Sequence, residues 1–378
     1  MRLSLLLASA AAAALSTGCT MTETPPAESL TVAESAPETA AAPVVAPVAP
    51  RIDHEITQVG RTRNDPYNWL KDDNWQEVMR DPTVLRQDIR DYLEAENAYT
   101  ATVLEEPTKE LQEELFKEMR GRIKEDDSSV PEIDGPYAYY TRYREGGEYP
   151  IIARKDAEGA FDPDAAETIL LDGDALGKDE AYFSFGSVHV SPDHTLIAYA
   201  TDTQGSEFYK IRIKDIATGE DKGVMIDDAY GSFDWSADGK RIYWVHRDEM
   251  GRPDSVWTRD LATGEDTMIY EEQDPGFFVG IGKSASEEVI FINASGHTTS
   301  EIYWFPADEE TPAPRVIAPR ETDNEYNAVH WDGQFYISTN LDGAVDFKLM
   351  RAPMDSTSRD NWEEVIPRRA GTLLLGMQ

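Results

Sequence analysis

Hydrophobic and polar positions follow two different periods along this chain, and the change falls near residue 130. Before it the period is helical. Leu85, Ile89, Tyr92 and Leu93 share one face of "RDPTVLRQDIRDYLEAENAYTATVLEE" (80–106), which predicts a long helix capped by Asp81 with Pro82 in its first turn. Pro107 is expected to end it. A second helix is predicted next, with Leu111, Leu115 and Met119 at i, i+4 and i+8 and Gly121 as its C-terminal cap. Both helices are amphipathic, so each needs a surface to pack on.

After residue 130 the helical period gives way to short β-rich runs separated by Gly, Asp and Pro turns. Two stretches align without a gap, "SPDHTLIAYATDTQGSEFYKIRIKDIATGE" (191–220) and "SADGKRIYWVHRDEMGRPDSVWTRDLATGE" (236–265), 45 residues apart. Each runs from a Ser-x-Asp turn through a strand, a polar loop and a second strand to an Ala-Thr-Gly-Glu turn. Gly219 and Gly264 supply the left-handed backbone such a turn requires. Weaker copies occupy 134–159, 287–310 and 332–355. About four strands in a period of 45 is the signature of a β-propeller blade, a small sheet whose faces are buried only by its neighbours. Five blades are predicted, at about 130–173, 180–227, 231–272, 277–318 and 324–367, and "RRAGTLLLGMQ" reads as the opening of a sixth.

Composition changes the picture at the N-terminus. Arg2, an apolar run from Leu3 to Leu15 and "LSTGC" read as an export signal ending in a lipobox-like cysteine (1–19). Cys19 is the only cysteine, so no internal disulfide or thiolate zinc site is possible, and it is the expected lipid-attachment residue. Ser16 stands where a lipobox usually has leucine, and cleavage nearby without lipidation is the alternative. Residues 20–50 hold six Pro and eight Ala with no aromatic, Lys or Arg, which predicts a disordered tether. The domains expected are therefore the signal (1–19), the tether (20–50), a helical segment (51–129) and an incomplete propeller (130–378). A periplasmic or outer-membrane location follows, lipid-anchored through Cys19, or secreted if Cys19 carries no lipid. A net charge of −37 argues against a nucleic-acid partner; it reads first as a solvated acidic surface, and it would also attract cationic peptides at long range.

The search for chemistry returns little. No G-x-S-x-G occurs, so there is no nucleophile elbow. "GIGKS" (280–284) misses the phosphate-loop spacing, because Gly276 is one residue too far away and the run lies in a strand repeat. His54, His189, His194, His246, His297 and His330 are scattered and read as packing or surface residues, with no metal set among them. Trp235, Trp244, Trp257 and Trp304 fall at blade strand positions and read as core. No catalytic, cofactor-binding or metal residues are assigned, and no cofactor is expected.

Three motifs before and at the first blade, "RNDPYNWLKDD" (63–73), "YLEAENAYT" (92–100) and "LFKEMRGRIKEDDSSVPEIDGPYAYYTRYREGGEYPIIAR" (115–154), resemble the N-terminal part of the prolyl oligopeptidase family of serine peptidases, oligopeptidase B above all. The resemblance implies a helical segment, a seven-bladed propeller that admits only short peptides, and a C-terminal α/β-hydrolase domain. That domain would carry the Ser, Asp and His and would give the amphipathic helices their packing surface. It also implies cleavage after Arg or Lys, hence short basic peptides as partners. None of those catalytic residues falls on this sequence. The fold expected is mainly β, about five of seven propeller blades after an α-helical segment, with the hydrolase domain absent. The function expected is that of the N-terminal portion of such a peptidase, inactive alone. The alternative is a non-catalytic lipoprotein whose propeller binds a peptide or protein.

Overall fold

The computed structural model describes residues 44–377. The export-signal reading, Cys19 and most of the tether lie outside the described residues.

Four-stranded antiparallel sheets repeat five times. Blade 1 comprises Glu132–Asp134, Tyr137–Arg142, Ile151–Asp156 and Thr168–Asp172. Blades 2 and 3 share one long strand, Asp221–Trp235, in a continuous seven-stranded sheet. Blade 2 adds Ser184–Val190, Leu196–Asp202 and Tyr209–Asp215, and blade 3 adds Arg241–Arg247, Pro253–Asp260 and Asp266–Glu271. Ala229 is the handover point, paired with Tyr209 on one side and His246 on the other. Blade 4 comprises Phe278–Lys283, Val289–Ser295, Ser300–Pro306 and Arg315–Val316, and blade 5 Tyr326–Trp331, Gln334–Thr339, Lys348–Pro353 and Glu363–Ile366.

The cores lie between blades because the second strands of blades 2, 3 and 4 are apolar on both faces. Ile197 and Tyr199 pack toward Leu170 and Leu171 of blade 1, whereas Ala198 and Ala200 pack toward Trp235 and Ile242 of blade 3. Tyr243 and Val245 meet Ile290, Ile292 and Phe305 of blade 4. Phe291 and Trp304 then meet Tyr326, Phe335 and Ile337 of blade 5. The period-two alternation of a strand thus assigns successive side chains to opposite neighbours. Trp235, Trp244 and Trp304 are buried and Trp257 packs on the same cores, as core positions require. Beyond blade 5 the tail forms only an Arg369–Thr372 bridge and a bond from Leu374 N to Asp346 O, and no strand of a sixth blade is present among the described residues.

Both Ala-Thr-Gly-Glu turns join the third and fourth strands of a blade with one hydrogen-bond pattern. Asp215 Oδ1 accepts from Thr218 N at 2.8 Å, and Asp260 Oδ1 from Thr263 N at 2.8 Å. Gly219 and Gly264 have φ of 72° and 74°.

The helical segment departs from the sequence reading in four ways. A short helix, α1 (Trp75–Arg80), precedes the expected one. Asp81 caps a 3-10 turn, Pro82–Val84, accepting from Thr83 N at 2.9 Å, and the long helix begins later. Pro107 does not end that helix. One helix, α2 (87–120), runs through it as Gln87–Thr100, a π turn at Ala101–Glu105 and Glu106–Arg120. Proline lacks an N–H, and its ring clashes with the carbonyl four residues back, here that of Val103. The wider π turn spans that residue and absorbs the clash. Gly121 follows α2 in the right-handed region, its N–H bonded to Lys117 O, and not as a left-handed cap.

Candidate functional site

Each blade's first strand lies innermost, and in blades 2 to 4 a Ser-centred turn follows it. Ser191 Oγ donates to Asp193 and accepts from Leu196 N, and Ser236 does the same with Asp238 and Arg241. At this turn end, the inner strands of blades 1 to 4 border a cleft of about 870 Å³. His189 and Asp234 line it, both two residues before the turn serine. In blade 4 the corresponding residue is Gly282, and the next residue, Lys283, crosses to Asp234 at 3.0 Å. Both partners of that ion pair are largely enclosed, with side chains 15% and 8% exposed. His189 packs edge-on against Phe233. Burial holds its imidazole below the ordinary histidine range; Asp234 opposes that shift and Lys283 adds to it. The cleft therefore presents a neutral imidazole and an internally compensated pair, which can orient a ligand but offer no activated nucleophile. The 45-residue ruler could have found His189 and Asp234 together. Nothing in it marks Lys283, whose partner is set by the stacking of blades.

The opposite end carries a second polar network between blades 3 and 4. The Arg320 guanidinium lies 2.6 Å from Glu272 and 2.7 Å from Glu301, and stacks 3.9 Å from the Phe277 ring centre. Tyr270 donates to Glu272 at 2.9 Å and Tyr303 to Glu301 at 3.0 Å. Burial works against the charge on Arg320, but the two carboxylates outweigh it and raise its pKa. Burial likewise opposes the charge on Glu272, and Arg320 with Asp274 N and Tyr270 outweighs it and lowers its pKa.

Among the described residues no serine, histidine and carboxylate line up as a nucleophilic relay. His330 comes nearest: its Nδ1 meets Ser286 Oγ at 2.8 Å and lies 3.8 Å from Glu288. Serine and carboxylate thus compete for one ring nitrogen, and Nε2 is sealed without a partner, so no proton relay is possible. His194 Nδ1 bonds Tyr139, and His246 Nδ1 bonds Asp254. No group of three metal-binding side chains occurs among the described residues. "GIGKS" lies in the inner strand of blade 4 and its turn, away from any helix N-terminus. Ile89 in the first half of α2 is buried, but the apolar face of its second half is uncovered, with Leu104, Leu111, Leu115, Phe116 and Met119 all exposed.

A family model described as prolyl oligopeptidase, N-terminal beta-propeller domain, matches residues 47–378. Dipeptidyl aminopeptidase BI of Pseudoxanthomonas mexicana is 38% identical over 333 residues, 84% of this chain and 44% of that protein. Protease 2 of Moraxella lacunata is 33% identical over 317 residues, 82% of this chain and 44% of that protein. Among solved structures, oligopeptidase B from Leishmania major superposes with a TM-score of 0.76 at 25% identity, over 86% of this chain and 47% of its own. Oligopeptidase B from Trypanosoma brucei, in a closed form with bound antipain, gives 0.74 at 25% identity over the same shares. The chain thus spans less than half the length of these relatives.

Proposed function

The chain belongs to the prolyl oligopeptidase family, through that family's N-terminal β-propeller domain, and from this premise we propose that it is the substrate-gating part of an exported serine oligopeptidase that hydrolyses short peptides after Arg or Lys. The observation that carries this reading is the superposition on oligopeptidase B across 86% of the chain, blades and helical segment together. The bare apolar face of α2 supports it. A helix of 34 residues with five large apolar side chains in water is a surface awaiting a partner, and a hydrolase domain of the family is the occupant proposed. Excess acidic charge supports basic peptides as substrates, since a negative field raises their local concentration. Lipid on Cys19 would hold the enzyme at a membrane surface, with residues 20–50 as tether.

A second reading of specificity rests on the relative at 38% identity, which is named for dipeptidyl aminopeptidase activity. An arginyl peptide cleaved internally favours the first reading, and stepwise release of dipeptides favours the second. Both place the chemistry outside these 378 residues. The purified chain is therefore expected to leave an arginyl or lysyl reporter peptide intact. Turnover that tracks this polypeptide through purification would overturn the proposal.

A further inference from the structure

Helix α1 is fastened to blades 2 and 3 in an uneven way. On the propeller side everything is fixed. Arg247 is buried, donates to Gly251 O at 2.7 Å, pairs with Glu207 at 3.2 Å, and lies 5.0 Å from the Phe208 ring centre. On the helix side everything is loose. No residue of α1 is buried. Arg80 is 53% exposed, sits 4.6 Å from the same Phe208 ring, and is 3.9 Å from Asp228, beyond hydrogen-bond reach. Gln76 adds a bond to Glu249 O at 3.0 Å and a contact to Met250 Sδ at 3.3 Å. These are the only hydrogen bonds and ion pairs that join residues 46–120 to residues beyond 130 among the described residues. The other attachment is covalent, the run 121–131 beside blade 1, where Glu125 accepts from Gly146 N at 2.8 Å.

We propose that α1 is a releasable clasp, with Phe208 and Arg247 as its fixed seat and Arg80 and Gln76 as its moving half. The blades hold one another through buried aromatic cores. The clasp has no such core and depends on a half-exposed cation over an aromatic ring, a contact that is weak in water. Arg80 is bracketed by the Phe208 face and Asp228, so it re-seats in one position and not at random. Released, the helical segment can pivot about residues 121–124, ahead of Glu125 and the pairing of 127–129 with blade 1, and carry α1 away from blades 2 and 3. The step from clasp to substrate access rests on the peptidase reading above; the clasp itself does not.

The test uses the 378-residue chain with Cys19→Ser, spin-labelled at Glu77→Cys on α1 and Lys222→Cys on blade 2, both exposed. Pulsed electron-spin distance measurement is expected to give one dominant short distance and a minor long one. Arg80→Gln and Phe208→Ala are each expected to raise the long-distance population about fivefold. Raising sodium chloride from about 50 mM to about 1 M is expected to raise it in the parent protein. If Phe208→Ala fails to fold, Arg80→Gln decides alone, because Arg80 lies at the surface. A distribution unchanged by Arg80→Gln and by salt would overturn the clasp and leave the peptidase reading untouched, because no activity is measured.

Discussion

His189 is held neutral by burial, and that has a direct consequence for stability. Its pKa in the folded chain lies below the ordinary value of about 6.5, so the unfolded state takes up the proton first as pH falls. The stability His189 contributes is complete above about pH 6.5 and drains away as pH drops toward the folded value. The melting temperature of the parent is therefore expected to fall more than that of His189→Gln between about pH 6.5 and pH 5. Parallel curves would contradict the assignment. Arg320 is the other decisive residue. Removing it leaves Glu272 and Glu301, 5% and 8% exposed, uncompensated. Arg320→Ala is expected to cost roughly 3–5 kcal/mol in a denaturant titration, as for other broken buried pairs. Neither partnership was legible in the sequence. Nothing in the sequence links Glu272 to Glu301, and only the stacking of blade 3 on blade 4 shows that they share one guanidinium. His189 and Asp234 were within reach of the 45-residue ruler, because they stand at one position in successive blades.

At the scale of the element, most of the fold was readable, because turns and strand alternation are local. Asp215 with Gly219, and Asp260 with Gly264, build the same turn from the same letters. A Cβ at either glycine would meet nothing within 4 Å, so only the left-handed backbone resists substitution. Gly219→Ala and Gly264→Ala are each expected to cost about 1–2 kcal/mol, and by similar amounts. Gly231 is different. Its φ is 99°, and a Cβ there would approach the Tyr209 ring at 2.8 Å. Gly231→Ala is expected to cost clearly more than either turn substitution, read by the same denaturant titration. The helical segment was less legible. Proline's local rule predicts a break at Pro107, but a π turn at Ala101–Glu105 accommodates the ring and the helix continues to Arg120. Helix α1 has only six residues, so Trp75, Val78 and Met79 on one face are too few to mark a helical period in the sequence.

At the scale of the molecule, five blades make four buried interfaces and leave the outer face of blade 5 open. Trp331, on the first strand of blade 5, is 65% exposed, and Val365 and Ile366 on its fourth strand are exposed as well. Such a face is expected to drive concentration-dependent association of the isolated chain in sedimentation experiments, and Trp331→Lys to weaken it. A monomer at every concentration would show that the face is satisfied within the chain. Blade count and blade length were legible because each blade repeats one local pattern. The central claim, that this propeller serves a serine peptidase, is tested most directly by treating the source cells with a fluorophosphonate probe and capturing proteins with antibodies raised against the 378-residue chain. A labelled species of about twice this chain's length is expected, since the chain spans 44% of its peptidase relatives. Captured protein that carries no label, at any length, would contradict the account.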